Sequence, residues 1–549
     1  MCIVKLPLEI LHEVVKFCIP EEIDQLSETC RTLYHATQRF RADHLLKRRQ
    51  YTVFRYHNGM NDDDEEEEEE EGKDGNDDHS DGGSSGNNSE NHQLRISHCV
   101  ELLLKIAQEP LIARYIQIAD LRGDFEPYCR PDEEYHIAYD ELVSRKTTIM
   151  ELIEACPLLR EAEADATTFW EHMVDEDTKT FSPSYVTLLI LSFMTNVRKL
   201  ALPMHMSKTS SAEDALFRKV ADTMVRIAQT TNTKTGSRDI ALAKLRTLLP
   251  MTGADYEDKV ALQTLVPFMS IPSVVEVLGS SCVALDDGYT GYPFNPDYES
   301  FGRSLERLEL MSSTVGVREI RTLLQQCSKV KVFKLDYTVK WHGCGWNWNA
   351  GHFMRAIEDT CSDTLEDLGI DIGGDVNDIG TGIVSMKRFR SLKRIELDVQ
   401  VFLGVPCGGD IDQAWDYDTT DEAPMGDPEI PKVTDLLPAS AEKLLLFAQD
   451  YDEHAECLEA LFAGVTQAER EKHLPNLKTV AVKVRTHSRL SLSSPADRAS
   501  DSEEARTFAS KIRNKFEVAT SAINRFGGRM SYVRHSNMVS FTPEIFSYL

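Results

Sequence analysis

Six stretches of the chain carry one apolar phrase, leucine-x-x-leucine-x-leucine, with swaps of similar side chains. They are VRKLAL (197–202), LERLEL (305–310), VKVFKL (330–335), LEDLGI (365–370), LKRIEL (392–397) and LKTVAV (477–482). AEKLLLF (441–447) and LREAEA (159–164) are looser forms. The alternation at the end of the phrase is that of a strand with one buried face. Helical stretches lie between the phrases, among them VREIRTLLQQCSKV (317–330) and HFMRAIEDTCSDT (352–364). One such strand–helix unit cannot bury its apolar face alone, so it must stack on copies of itself. An α/β chain of stacked units is therefore expected over residues 95–487.

The period is irregular. Phrases begin at 305, 330, 365, 392, 441 and 477, which is 25, 35, 27, 49 and 36 residues apart. Simple repeats of this type run about 20–29 residues, so several units carry inserted loops. Cys156, Cys327 and Cys361 each close a helix three or four residues before a phrase. A cysteine there is a small apolar plug, since metal ligands would have to meet in space and these lie in separate units.

The opening residues follow a different rule. From Pro7, apolar side chains fall at Ile10, Leu11, Val14, Val15 and Cys18, one face of a helix. Pro20 breaks that helix, and Glu21 and Glu22 suit the positive end of the next. The second helix offers Ile23, Leu26, Cys30, Leu33 and Tyr34, and a third, over 38–49, offers Phe40, Leu45 and Leu46. Helices this short cannot bury both faces among themselves, which leaves one apolar face for a capping role or for another protein.

Between these regions lies NDDDEEEEEEEGKDGNDDHSDGGSSGNNSENHQ (61–93). Residues 62–92 hold fifteen carboxylates and one lysine, about half of the chain's net charge of −30. A segment with nothing apolar to bury stays solvated, so 59–93 is expected as a disordered insertion. Binding of basic proteins is the competing reading. The remaining mildly acidic balance lacks the basic footprint that nucleic acid requires. The longest apolar run, YVTLLILSFM (185–194), is about half a membrane span. Twelve cysteines without CxxC pairs and a start interrupted by Lys5, Glu9, His12 and Glu13 argue against secretion. A cytoplasmic or nuclear location is expected, with KRR (47–49) too weak a basic cluster to choose.

LPLEIL, the Pro-Glu-Glu break and LSETCRTLY at this spacing resemble the F-box. Thr29 and Tyr34 depart from the family's usual residues without spoiling its pattern. Together with the repeated phrase, and with DLLPASAEKLLLF (435–447), the chain resembles the F-box proteins with degenerate leucine-rich repeats found in filamentous fungi. The resemblance implies a helical F-box over 1–50 followed by an irregular leucine-rich-repeat solenoid. It implies docking on the Skp adaptor, and through it a cullin, by Leu6, Pro7, Ile10, Leu11, Val14, Leu26, Cys30, Leu33 and Tyr34. The chain would then be a non-catalytic receptor that brings a protein target to a ubiquitin ligase. A scaffold that binds the adaptor without acting in ubiquitination is the alternative, and an acidic chaperone is a third.

The same alternation projects Glu309, Lys334, Glu396, Asp336, Asp371 and Asp398 onto the face opposite the leucines. Five of these six are acidic, so a solvated face and a site for a basic target segment are both open readings. Trp341, Trp346 and Trp348 crowd into WHGCGWNWNAGH (341–352), either packed against the repeats or exposed beside that segment. His342, Cys344 and His352 match no zinc spacing, and no cofactor is expected. DDGYTGYPFNPDYESF (286–301) has the same ambiguity. No phosphate-binding loop, G-x-S-x-G or H-E-x-x-H is present. A serine-rich linker is expected over 488–503, with Ser494 and Ser502 as candidate phosphorylation sites, then a capping helix and strand over 504–549.

Overall fold

The computed structural model describes residues 3–57, 96–123, 132–174, 183–207, 215–234, 240–285, 291–296, 300–340, 346–373, 376–406, 429–485, 510, 513–533 and 539–546. The acidic tract, the serine-rich linker with Ser494 and Ser502, and Trp341, His342 and Cys344 lie outside them. The chain is mixed α/β with parallel strands, and it divides into two compact units, Met1–Leu245 and Arg246–Leu549.

In the first unit the opening helices span Leu8–Phe17, Ile23–Thr29 and Arg31–Tyr51. The second and third differ from expectation. Ser27 and Thr29 donate back to the carbonyls of Asp24 and Leu26, and Cys30 is extended, so the second helix ends there. Leu33 and Tyr34 therefore open one long third helix. That helix runs straight into strand β1 (Val53–Arg55), which pairs in parallel with β2 (Ile118–Asp120), itself paired with β3 (Lys199–Ala201). The third helix is thus continuous with the strand layer of the first unit. The helix Pro183–Phe193 buries every residue from Ser184 to Ser192, and Val186, Leu189 and Ile190 are wholly buried. Among the described residues no helix is long and apolar enough to cross a membrane.

The second unit is built on a ladder that holds, among the described residues, nine strands: β4 (Thr247–Leu248), β5 (Glu276–Ser280), β6 (Arg307–Val315), β7 (Val332–Tyr337), β8 (Asp367–Ile372), β9 (Arg394–Asp398), β10 (Lys443–Gln449), β11 (Thr479–Arg485) and β12 (Arg529–Val533). Each pairs in parallel with the next. Parallel neighbours need long crossovers, supplied in part by the helices Val317–Gln326, Ala350–Cys361 and Asp452–Phe462. The register explains the repeated phrase. Leu308, Phe333, Leu368, Ile395, Leu444 and Val480 stand side by side, and so do Leu310, Leu335, Ile370, Leu397, Leu446 and Val482. All twelve are buried, so the five phrases from 305 to 482 and the looser one at 441–447 each contribute one rung to two apolar rows.

The looser phrase at 159–164 is not a strand. Pro157 sits in the first turn of a short helix, Pro157–Glu161, and Leu158 and Leu159 are both buried from it. Cys327 and Cys361 do plug the ends of their helices, and burial raises both thiols above their ordinary value. Cys156 is also buried, but a helix follows it rather than a strand. At the chain's end, the expected long helix is described as Glu517–Arg525 before β12.

Candidate functional site

The opening helices sort their apolar residues into two sets. Leu11, Val15, Ile23, Leu33 and Ala36 are buried and hold the helices together. Leu11 and Leu33 were expected to meet a partner, and the packing assigns them inward instead. Leu8, Ile10, Phe17 and Tyr34 are exposed, Phe17 at 84%. Pro7 is exposed as well, while Leu6, Val14, Leu26 and Cys30 are half-buried. Four exposed apolar side chains thus fall within residues 8–34, which makes this segment the candidate contact surface.

Charged side chains brace the loop between the first two helices. Arg114 Nη2 donates to Glu21 Oε2 at 2.8 Å, and Asn196 Nδ2 donates to Glu21 Oε1 at 2.7 Å. Burial alone would raise the Glu21 carboxyl, but the bonds from Asn196 and Arg114 outweigh it and hold the carboxyl below its ordinary value. A cavity of about 330 Å³ opens beside them, lined in part by Asp24, His44, Arg48, Arg198 and Lys244. Two of its cations are already matched, Arg114 by Glu21 and Arg48 by Asp24 at 2.6 Å.

In the second unit, Glu309, Lys334, Gly369 and Glu396 lie in register across β6, β7, β8 and β9, on the face opposite the leucine rows. The placement read from alternation holds. The expected openness does not. Glu309, Lys334, Glu396, Asp371 and Asp398 are all buried, and Asp336 is half-buried. The acids are also matched by cations. Arg307 Nη1 lies 2.6 Å from Glu309, Arg394 Nη2 lies 2.9 Å from Asp367, and Lys334 Nζ reaches Glu396 at 3.4 Å and Asp367 at 3.6 Å. A net acidic surface awaiting a basic segment is therefore not what this face presents.

The cover over the middle of that face is the segment Val539–Phe546 of the same unit. Ser540 donates its backbone N–H to Glu396 Oε2 at 2.7 Å, and Lys334 Nζ donates to the Ser540 carbonyl at 2.6 Å. Thr542 donates both N–H and Oγ1 to Glu309, each at 2.7 Å. Val539 sits over Gly369, where an added Cβ would come within 2.5 Å of it. Sequence reasoning missed this segment. Its only signal is the alternation of Val539, Phe541 and a Thr-Pro pair, too short to stand out.

A second acidic row lies one pleat further along. Asp336 and Asp371 are register partners, and Asp398 follows on β9. Burial raises all three carboxyls, Asp398 to about 7, with Arg485 as the nearby cation. Asp398 accepts the N–H of Gln400 at 2.8 Å, so its visible task is to cap the turn that follows.

The tryptophan-rich stretch resolves toward packing where it is described. Trp348 is fully buried and stacks on Tyr337, with ring centroids 4.6 Å apart, so it does not face a target. The side chain of Trp346 lies outside the described residues. His352 is buried beside Thr381, and no cluster of potential metal ligands exists among the described residues. In the 286–301 stretch, Phe294 and Phe301 are buried.

No protein-family model matches the chain, and a search of curated proteins finds no similar one.

Proposed function

We propose that the chain is the target-binding subunit of a Skp–cullin–F-box ubiquitin ligase. In this reading the opening helices are an F-box that docks on the Skp adaptor, and the parallel ladder belongs to an irregular leucine-rich-repeat solenoid that holds a protein target. The observation that carries it is the sorting of the opening helices. Leu11, Val15, Ile23 and Leu33 close the hairpin, while Leu8, Ile10, Phe17 and Tyr34 stay uncovered within 34 residues that also hold the Leu-Pro start. The in-register rows of the ladder support the repeat half of the reading. The mechanism is proximity, since holding a target lysine beside the charged enzyme raises its effective concentration. No catalytic group is assigned to this chain.

The test is capture of purified Skp adaptor by the full chain and by the double variant Leu6→Ala with Pro7→Ala. Loss of capture in a folded variant is the expected outcome, and capture at wild-type yield would refute the F-box. Co-purification of a cullin separates a ligase subunit from a scaffold that binds the adaptor alone.

A further inference from the structure

The cavity beside Glu21 lies wholly within the first unit, and its charges do not cancel. Glu21 and Asp24 match Arg114 and Arg48, whereas among the described residues no carboxylate pairs with Arg198 or Lys244. The Lys244 ammonium donates to the Asn196 amide oxygen, a neutral acceptor that leaves its charge in place. His44 adds a buried nitrogen to the same lining. The residue is 2% exposed, its Nδ1 meets the Tyr115 hydroxyl at 3.0 Å, and its Nε2 has no hydrogen-bond partner. From these three groups we propose that the cavity is a binding site for the phosphoryl dianion of a small phosphate monoester. The site stands independently of the receptor reading above.

Each donor is held by the backbone around it. His44 belongs to the third opening helix, Arg31–Tyr51. Arg198 stands just before β3, where its backbone N–H donates to the Gln117 carbonyl at 2.7 Å. Lys244 follows Leu242, whose N–H donates to the Met194 carbonyl at 3.0 Å. Asp24 Oδ2 lies 3.8 Å from His44 Nε2 and favours the tautomer with its proton there, so Nδ1 accepts from Tyr115. Burial lowers the ring's pKa, and His44 therefore meets an anion as a neutral donor.

Two unmatched cations and one N–H call for a doubly charged acceptor. Three donors from three segments suit the oxygens of a tetrahedral group better than the single plane of a carboxylate. A guanidinium can bond two phosphoryl oxygens at once, and an ammonium adds a compact point charge. The volume of about 330 Å³ stands at the small end of the range for small-molecule sites, about 300–1,000 Å³. It admits a phosphoryl group with a short organic tail. The bound group would satisfy His44 Nε2, removing the cost of burying a polar nitrogen without a partner. Because its donors come from the third helix, the start of β3 and residue 244, such a ligand ties the opening helices to the strand layer of the same unit.

The test uses the full chain at low salt and about pH 7.5, above the second pKa of a phosphate monoester, about 6. Glycerol 3-phosphate, inorganic phosphate, succinate and a phosphoserine peptide are each titrated by calorimetry. Saturable binding of glycerol 3-phosphate is expected, weakened by about 10-fold or more in Lys244→Ala and in Arg198→Ala and largely kept in Lys244→Arg. Arg198 is exposed and Lys244 half-buried, so these substitutions leave the core untouched. The His44 ring resonances should move on titration, which places the ligand, and the melting temperature should rise with ligand concentration. Tighter binding of inorganic phosphate overturns the ester. Tighter binding of succinate overturns the phosphoryl chemistry, and tighter binding of the peptide overturns the small-molecule ligand. Absence of saturable binding, or binding unchanged in folded Lys244→Ala and Arg198→Ala, overturns the site itself. None of these readouts uses the adaptor, so a failed site leaves the F-box reading standing, and loss of adaptor capture leaves the site untouched.

Discussion

Lys334 and Glu396, 62 residues apart in the chain, meet at 3.4 Å with both side chains buried. Asp367 lies 3.6 Å from the same ammonium and 2.9 Å from Arg394 Nη2, so the pair belongs to a small buried charge network. Removing one partner of such a group strands the others without compensation.

Lys334→Met should therefore destabilise the fold by about 3–5 kcal/mol in denaturant unfolding. Adding Glu396→Met should recover part of that loss, because the second change removes the stranded carboxylate. Costs that simply add would mean that the pair is not coupled.

The buried acids set a pH dependence of unusual sign. Asp398 has its carboxyl raised to about 7 by burial, against an ordinary value near 4. Between those values the folded state holds a proton that the unfolded state has released, so this group's contribution falls as pH rises from 4 to 7. His454 acts oppositely. Burial lowers it to about 4, so its contribution is lost as pH falls from about 6.5 toward 4. Asp398→Asn, which can still cap Gln400, should stabilise the protein by up to about 4 kcal/mol at pH 8 and by almost nothing at pH 4. Melting curves across that range check it, and an equal effect at both ends would contradict the assignment.

Two glycines separate backbone strain from crowding. Gly302 has φ of +63° and its added Cβ would fall 2.3 Å from Cys327 Sγ, whereas Gly464 has φ of +69° and open space around it. Gly464→Ala should cost about 1 kcal/mol, from the left-handed backbone alone. Gly302→Ala should cost about 3 kcal/mol, since overpacking adds to that strain. Cys327→Ala placed on Gly302→Ala should return part of the difference.

The exposed rim of the opening helices gives the fourth expectation. Phe17→Asp changes a side chain that is 84% exposed, so thermal stability should shift by less than about 0.5 kcal/mol. Leu11→Ala removes a buried side chain and should cost about 2–5 kcal/mol. If Phe17 belongs to the adaptor surface, its substitution weakens adaptor capture at unchanged stability. Unchanged capture would remove Phe17 from that surface.

The strands of the ladder were legible because their cause is local. Leu308 and Leu310 must share a face through strand alternation, and the same spacing at 333 and 335 or at 368 and 370 can be read without any tertiary knowledge. The helix starts around Pro7 and the break at Pro20 were legible for the same reason, a residue acting on its own backbone. The short strands β1, β2 and β4 were not, since two or three residues are strands only when a neighbour pairs with them.

What only the tertiary structure decided is exposure. Alternation placed Glu309, Lys334 and Glu396 on one face, yet nothing local could say that Ser540 and Thr542, more than 140 residues further on, cover them. The same holds for Leu11 against Ile10, adjacent in one amphipathic helix, of which packing buries the first and leaves the second in solvent. The periodicity of side chains belongs to the backbone of each segment, and the sequence determines it alone. Burial belongs to pairs of segments, and it exists only once the chain has brought them together.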